Sequence, residues 1–363
     1  MSSIIEKLTD IGQSLWMDNI QRKLLENGEI KSLIAKGDIR GMTSNPTIFN
    51  NAISKTNDYD AALVPLAWAG WDPEKIFWEL VIEDIKEACD LFAPLYEESN
   101  GGDGYVSIEV SPYLAHDTEA TSVQAQQLWA RVARPNLMVK IPATKEGIPA
   151  IRQATAAGIN VNITLIFSLA RYAEVMNAYL QGLEDRVAGG QAIDHIASVA
   201  SFFVSRVDSK VDDRLPKDSP LRGKAAIANA KLAYDEFTKT FAGDRWEKLK
   251  AKGGRVQRPL WASTSTKNPA YPDTIYIDNL IGPDTVNTVP VETLNAYRDH
   301  GLPKARIERN VEEAAAVLKN LAHLGISIDA VTQQLEDEGV EKFNKPFDNI
   351  MAKLTETSHA IKK

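Results

Sequence analysis

The chain has 363 residues, of which 44% are apolar and 25% are charged, and its formal net charge is −8 at pH 7. This composition is typical of a folded globular protein and excludes a largely disordered chain. The acidic balance argues against a nucleic-acid-binding protein, in which lysine and arginine would be clustered and in excess. We therefore expect no nucleic-acid partner.

The start of the chain and its cysteine content predict a cytoplasmic protein. The first residues, MSSIIEKLTDIG, lack the basic start and apolar core of a secretory signal. No apolar stretch approaches the roughly 18 to 20 residues needed to span a bilayer, so no membrane partner is expected. The single cysteine, Cys89, can form no internal disulfide and is expected to be a small buried residue.

Short apolar or β-branched runs alternate with longer amphipathic stretches along the chain, which is the pattern of βα units. The candidate strands cover residues 14–19, 38–44, 105–111, 136–142, 159–167, 198–205, 258–264, 285–290 and, most weakly, 325–330. The candidate helices cover residues 20–37, 72–98, 119–133, 145–158, 169–190, 223–243, 307–325 and 331–363. This alternation predicts a parallel sheet with crossover helices.

No linker divides the chain, so we predict one domain over residues 1–363, with a C-terminal helix from about residue 329 packed on it. The alternation alone separates a closed barrel from an open doubly wound sheet only weakly. No G-x-G-x-x-G motif follows a predicted strand, which removes the usual reason to choose the dinucleotide-binding open sheet.

The run NLMVKIP contains a lysine, Lys140, within an otherwise apolar strand. A strand of a parallel sheet is buried on both faces, and lysine is almost never fully buried without a partner. Burial disfavours the charged ammonium, so more free amine would be available to attack a carbonyl. The alternative is a lysine that reaches solvent or pairs with an acid, and this run alone does not separate the two.

Polar side chains also lie near the ends of other predicted strands, where barrel enzymes place their catalytic groups. They are Asp18, Thr43, Asn45, Glu109, Asn162, Thr164, Ser201 and Arg206. Each has an ordinary structural explanation by itself; Asn45 before Pro46, for example, suits a turn. Together they predict a site in which acids, amides and hydroxyls surround a candidate nucleophilic amine.

Six segments, in this order, resemble the transaldolase family: MTSNPTIF, VSIEVSP, LMVKIPAT, NITLIFS, SFFVSRVD and WASTSTKNP. The resemblance covers most of the chain, and its length, WASTSTKNP and TVNTVP are similar to the longer bacterial branch. It implies an α/β fold with a single (β/α)8 TIM barrel and additional helices. It also implies sugar-phosphate substrates, a class I Schiff-base mechanism and no cofactor.

The resemblance implies catalytic roles for individual residues. Lys140 matches the Schiff-base lysine that attacks the ketose C2 carbonyl. Glu109 and Thr164 would hold the water that shuttles protons as the carbinolamine becomes the imine. Asp18 matches the general base that takes the C4 hydroxyl proton when the C3–C4 bond breaks.

Further positions match the substrate-binding residues of the family. Asn45 and Asn162 would hold substrate hydroxyls and the dihydroxyacetone enamine. Thr43 in MTSNPTIF and Phe203 in SFFVSRVD are assigned to substrate binding as well.

Phosphate binding needs cations and hydroxyls, and Arg206, Ser201 and Ser263 match the family pattern for it. A second family arginine, two positions after Ser263, is replaced here by Ser265, and Lys267 is the expected substitute. Lysine offers a point charge without the bidentate fork of arginine. A solvated loop lysine is an equally good interpretation of Lys267.

The sequence as a whole predicts a transaldolase of the pentose phosphate pathway, monomeric or homodimeric. It would move a dihydroxyacetone unit from sedoheptulose 7-phosphate to glyceraldehyde 3-phosphate, giving erythrose 4-phosphate and fructose 6-phosphate. The alternatives are an aldolase that cleaves fructose 6-phosphate and a non-catalytic sugar-phosphate-binding barrel. No metal site is predicted, because the five histidines lack metal-binding spacing and there is no cysteine pair.

Overall fold

Eight parallel strands form a closed barrel at the centre of the computed structural model, which describes residues 3–361. The strands are β1 (Gln13–Asp18), β2 (Gly41–Thr43), β3 (Tyr105–Glu109), β4 (Leu137–Pro142), β5 (Val161–Ile166), β6 (Ser198–Phe203), β7 (Gln257–Ala262) and β8 (Thr285–Val289). They are hydrogen-bonded in chain order, and β8 pairs with β1 to close the barrel. The predicted (β/α)8 fold is confirmed.

Helices surround this barrel. They are α1 (Ile4–Ile11), α2 (Arg22–Glu26), α3 (Glu29–Ala35), α4 (Pro46–Ser54), α5 (Asp60–Trp68), α6 (Pro73–Glu98), α7 (Thr118–Val132), α8 (Gly147–Ala156), α9 (Leu169–Ala188), α10 (Ser205–Asp212), α11 (Ala225–Thr240), α12 (Asp244–Lys250), α13 (Ile275–Asn279), α14 (Val291–His300), α15 (Val311–His323) and α16 (Ile328–Ile361). A 3₁₀ turn, Pro112–Leu114, follows β3. Within residues 3–361 no single helix is long and apolar enough to cross a membrane; α15 and α16 meet those criteria only as a pair bent by 90°.

One predicted helix is wrong, and the weakest of the nine strand candidates, for which a loop was the alternative, is not a strand. The predicted strand 325–330 instead joins two helices: Gly325 has a left-handed backbone (φ +78°), and the Ser327 Oγ accepts a backbone N–H from the first turn of α16 at 3.2 Å. The predicted helix 20–37 is broken into α2 and α3 at Gly28, where φ is +82°. In both places a turn at a glycine follows the end of a helix, α2 or α15, and the apolar pattern does not reveal such a turn.

Neighbouring strands are aligned so that polar side chains meet in one part of the barrel. The register places Glu109 beside Lys140 and Lys140 beside Asn162. It also places Asp18 beside Thr43 at the ends of β1 and β2. Helices cover the outer face of a parallel barrel and side chains fill its interior. The polar residues that interrupt the apolar runs are therefore held in buried, fixed positions.

The helix α16 is 34 residues long and packs against α4, α5, α6 and α10 on one side of the barrel. Ion pairs attach it to α9 and α10. Arg171 Nε lies 3.3 Å from the Glu336 Oε2, and Lys210 Nζ lies 2.5 Å from the Glu338 Oε1. The end of the chain is thereby fastened beside the carboxyl-terminal end of the barrel, where it can contribute to a site.

The opposite end of the barrel is organised around the carboxylate of Asp103. This carboxylate accepts hydrogen bonds from Ser14 Oγ at 2.7 Å, from Arg40 Nε at 2.6 Å and from the indole N–H of Trp16 at 3.2 Å. The Trp16 ring lies against the backbone of Gly41 in β2, where a Cβ atom would be only 2.5 Å from the ring. Only glycine leaves room for this tryptophan at that position.

We predict that Gly41→Ala destabilises the protein by about 1 to 3 kcal/mol, the usual cost of overpacking a core. The measurement is the urea midpoint of unfolding, followed by circular dichroism. Gly189→Ala is the matched control, because its Cβ would make only ordinary contacts at 3.5 Å. Equal midpoints for the two variants would contradict the packing argument.

Candidate active site

A cavity of about 260 Å³ opens at the carboxyl-terminal ends of the strands, the end at which barrel enzymes place their catalytic groups. Every strand except β3 contributes to its wall. The lining includes these predicted site residues: Asp18, Thr43, Asn45, Lys140, Thr164, Ser201, Phe203, Arg206, Ser263 and Lys267. The other two, Glu109 and Asn162, lie next to the lining residues Lys140 and Ser201. The predicted site residues are therefore brought together.

Lys140 extends from β4 and is only 5% exposed. Its Nζ donates a hydrogen bond to the carbonyl of Ser44 at 3.0 Å and lies 3.3 Å from the Oε2 of Glu109. A buried amine of this kind needs polar partners, because it has lost its contact with water. The sequence left open whether Lys140 is a nucleophile or a lysine that reaches solvent or pairs with an acid. The structure shows that it does not reach solvent and that it lies beside an acid, which is compatible with a nucleophile.

Glu109 ends β3 and is buried beside the Lys140 amine. Burial raises the pKa of the Glu109 carboxyl above the ordinary glutamate value. The Lys140 charge opposes this rise, and the Asp18 charge adds to it. A carboxyl with a raised pKa holds its proton more readily than an ordinary glutamate, which is a property of general acids.

Asn162 lies behind the cavity wall and is fully buried. Its Nδ2 donates to the Ser107 Oγ at 3.0 Å, and its Oδ1 accepts from the Ser201 Oγ at 2.7 Å. The amide therefore fixes the Ser201 hydroxyl. Ser107 was not predicted, although its place in the VSIEVSP segment beside Glu109 could have indicated it.

Asp18 and Asn45 lie at the ends of the first two strands, and each has one polar atom engaged by the protein. The Thr43 Oγ1 donates to the Asp18 Oδ1 at 2.7 Å. The Asn45 Oδ1 accepts from the Ile48 N–H at 3.0 Å and so caps α4. The sequence predicted a turn residue at this position before Pro46, and the structure shows the N-cap of a helix instead. What is left for a ligand is the second carboxylate oxygen of Asp18 and the amide nitrogen of Asn45.

Thr164 lies at a distortion of β5. Its Oγ1 is buried and has no hydrogen-bond partner within the described residues. The strand register shifts between Ile163 and Ile166, and Leu165 has a left-handed backbone with φ +60°. The helix α16 packs on Leu165: a Cβ atom at Gly339 would lie only 3.0 Å from the Leu165 Cδ2. Bulges and strained residues of this kind re-aim side chains at functional sites.

Arg206 and Lys267 bring two positive charges to the same cavity. Arg206 lies in the first turn of α10, with its guanidinium carbon 5.3 Å from the centre of the Phe203 ring. Burial lowers the pKa of Arg206, against the opposing charges of Asp18 and Glu338. Partial burial and the Arg206 charge likewise lower the pKa of Lys267. Two cations that disfavour each other indicate a site for an anion.

Several lining residues were not predicted from the sequence: Ser265, Thr288, Pro290 and Phe343. Thr288 could have been found, because it lies near the end of the predicted strand 285–290. Phe343 could not, because it comes from α16 and only the tertiary structure brings that helix to the cavity. Cys89 is buried, as expected. In the part of the chain that the structure describes, no group of three or more His, Cys, Asp or Glu residues could hold a metal ion.

The chain is similar to known proteins over nearly its whole length. The model of the family described as transaldolase/fructose-6-phosphate aldolase matches residues 15–354. A transaldolase of Trichodesmium erythraeum is 48% identical, and the alignment covers 96% of both chains. A transaldolase of Parafrankia sp. is 49% identical over 98% of both chains. A transaldolase of Thiobacillus denitrificans is 46% identical over 97% of this chain and 99% of the relative.

We predict that inorganic phosphate binds at Arg206 and Lys267 and raises the melting temperature. Ligand at about 100 times its dissociation constant stabilises a protein by about 2.7 kcal/mol. Lys267→Met should lose most of the shift, as measured by calorimetry with and without phosphate. Lys319→Met, at an exposed position on α15, is the matched control. A full shift in Lys267→Met would show that this lysine does not bind the anion.

Proposed function

Because the chain belongs to the transaldolase/fructose-6-phosphate aldolase family, we propose that it catalyses the transaldolase reaction with Lys140 as the Schiff-base nucleophile. The family and the transferase activity predicted from the sequence are confirmed. The observation that carries the assignment of Lys140 is its position: a buried amine beside Glu109, in a cavity that also contains two cations.

The proposed substrates are sugar phosphates. Sedoheptulose 7-phosphate gives a dihydroxyacetone unit to glyceraldehyde 3-phosphate, and the products are erythrose 4-phosphate and fructose 6-phosphate. Arg206 and Lys267 bind the phosphate group with the Ser263 hydroxyl, and the Ser201 hydroxyl, which donates to Asn162 in the free protein, turns to the phosphate when the ligand binds. This arrangement is supported by the presence of all of these side chains in one cavity with Lys140.

The first half of the proposed reaction forms the covalent intermediate. The free Lys140 amine adds to the C2 carbonyl of the ketose, and the resulting carbinolamine loses water to give an iminium ion. Glu109 gives and takes the protons of this step through a water molecule that the Thr164 hydroxyl also holds. The raised pKa of Glu109 and the unpartnered Thr164 Oγ1 support these roles.

The second half breaks and remakes a carbon–carbon bond. Asp18 takes the proton of the C4 hydroxyl, the C3–C4 bond breaks, and its electron pair moves to the iminium nitrogen to give an enamine. The amide nitrogen of Asn45 holds the enamine, and Thr43 orients Asp18 through its hydrogen bond. The first aldose, erythrose 4-phosphate, leaves after the bond breaks. The enamine then attacks the carbonyl carbon of glyceraldehyde 3-phosphate, and the new iminium ion is hydrolysed to release fructose 6-phosphate and the free Lys140 amine.

The same proposal includes features of the whole molecule. No cofactor takes part, since every step uses side chains or water. The chain acts as one domain, as a monomer or homodimer in the cytoplasm, with no nucleic-acid or membrane partner. The single buried thiol of Cys89 and the net charge of −8 support this location and the absence of a nucleic-acid partner.

We predict that Lys140→Ala abolishes trapping of fructose 6-phosphate on the protein by borohydride. Reduction of the Schiff base fixes the sugar on the amine, and intact-mass spectrometry measures the adduct. Lys145→Ala is the control, because this exposed lysine follows the same strand. An adduct of unchanged stoichiometry in Lys140→Ala would place the nucleophile elsewhere.

We predict that Asp18→Asn forms the trapped adduct normally but turns over about 10² to 10⁴ times more slowly, the usual contribution of a general base. The amide oxygen of asparagine can still accept the Thr43 hydrogen bond, so the fold of the site is retained. The measurement combines borohydride trapping with a coupled transfer assay. If the variant forms no adduct, Asp18 acts before bond cleavage and the assignment is wrong.

A further inference from the structure

The two cations of the phosphate site lie on different parts of the chain. Arg206 belongs to α10, and Lys267 lies in the segment 263–274 that joins β7 to α13. The Lys267 Nζ donates to Ser265 Oγ at 2.7 Å, a residue of its own segment. The two charges repel each other, so their spacing has to be set by other contacts.

Two tyrosine–aspartate hydrogen bonds connect these parts of the chain. The Tyr271 hydroxyl donates to the Asp212 Oδ2 at 2.5 Å, and the Tyr276 hydroxyl donates to the Asp208 Oδ2 at 2.9 Å. Both carboxylates belong to α10, the helix that carries Arg206, and both tyrosines follow Lys267. We call these four residues the tyrosine–aspartate clamp.

The carboxylates of the clamp are fixed and buried. The Asp208 Oδ1 accepts from the Ala226 N–H at 2.8 Å, and the Asp212 Oδ1 accepts from the Gly223 N–H at 3.0 Å. The Tyr271 ring lies against Gly223, where a Cβ atom would be 2.8 Å from it. Each carboxylate thus accepts one hydrogen bond from a backbone N–H and one from a tyrosine hydroxyl. Rigid anchors of this kind can hold a neighbouring segment in place.

Lys267 lies between two cavities. It lines the active-site cavity and also a second cavity of about 250 Å³, whose wall contains the clamp residues and Asp213. Arg222 also lines this second cavity, and its guanidinium donates to the backbone carbonyls of Asp212 and Leu215. If the Tyr271 hydroxyl is removed, the Asp212 Oδ2 loses its donor, and the contact that joins the segment of Lys267 to α10 is lost.

We propose that the tyrosine–aspartate clamp positions Lys267 against Arg206 and so sets the affinity for phosphorylated sugars. The clamp residues are positioning residues, and the inference rests on the proposed function. Tyr271 acts by tying the segment 263–274, which carries Lys267, to α10, which carries Arg206.

The test is Tyr271→Phe, which removes one hydroxyl and keeps the ring. We expect the KM for fructose 6-phosphate to rise about tenfold, the effect of losing about one hydrogen bond, with kcat within about twofold of the wild type. The concentration of unphosphorylated fructose needed for half-maximal borohydride trapping should not change. Tyr234→Phe is the control: it also removes a tyrosine hydroxyl that donates one hydrogen bond, to the Pro283 carbonyl at 3.0 Å, but this tyrosine lies outside the clamp.

A double variant tests whether Tyr271 acts through Lys267. In a Lys267→Met background, Tyr271→Phe should have no further effect on KM. If the two residues acted independently, the KM increases of the two single variants would multiply in the double variant, which would contradict the proposal. Tyr276→Phe gives a second measurement if Tyr271→Phe does not fold, and the same rise in KM is expected. Wild-type trapping and turnover, together with unchanged KM values in the folded clamp variants, would overturn the clamp and leave the proposed function standing. Absence of trapping in the wild type would instead overturn the proposed function.

Discussion

The contact between the Lys140 amine and the Glu109 carboxyl, buried in the barrel wall, is the interaction on which the site depends. Either group alone would be costly to bury, and each lowers the cost of the other. The register of β3 and β4 makes them neighbours, so the pairing follows directly from closure of the barrel. An amine and a carboxyl are thereby held 3.3 Å apart in the protein without a ligand.

The two ends of the cavity are built differently. Around Lys140 the side chains come from strands, and hydrogen bonds such as those of Asn162 with Ser107 and Ser201 hold them from behind. Such a site is rigid, which suits bond making and breaking. The phosphate end instead depends on a helix and a connecting segment, whose relative position is set by a few side-chain contacts. The residues proposed to react with the sugar therefore lie on strands, and the two cations proposed to bind its phosphate lie on a helix and a connecting segment.

The sequence predicted the barrel strands because each is an apolar run bounded by polar or turn residues. It singled out Lys140 because a lysine within such a run is rare, but only the resemblance to the family assigned the lysine a role. It did not reveal the break at Gly28, which depends on a left-handed backbone. Nor did it reveal Phe343, whose place in the cavity depends on how α16 packs. Apolar patterns report burial, whereas contacts between distant segments depend on the assembled fold.

The presence of Lys267 at the phosphate end has a consequence for substrate length. In the proposed mechanism, a ketose bonded through C2 to Lys140 would carry its phosphate one carbon farther away when it has seven carbons than when it has six. The guanidinium of arginine is a rigid plane that favours one geometry, whereas lysine is a single charge on a flexible four-carbon stem. In the proposed reaction, a lysine beside Arg206 would follow the phosphate to either distance, so that one pocket would accommodate both donors of a reversible exchange.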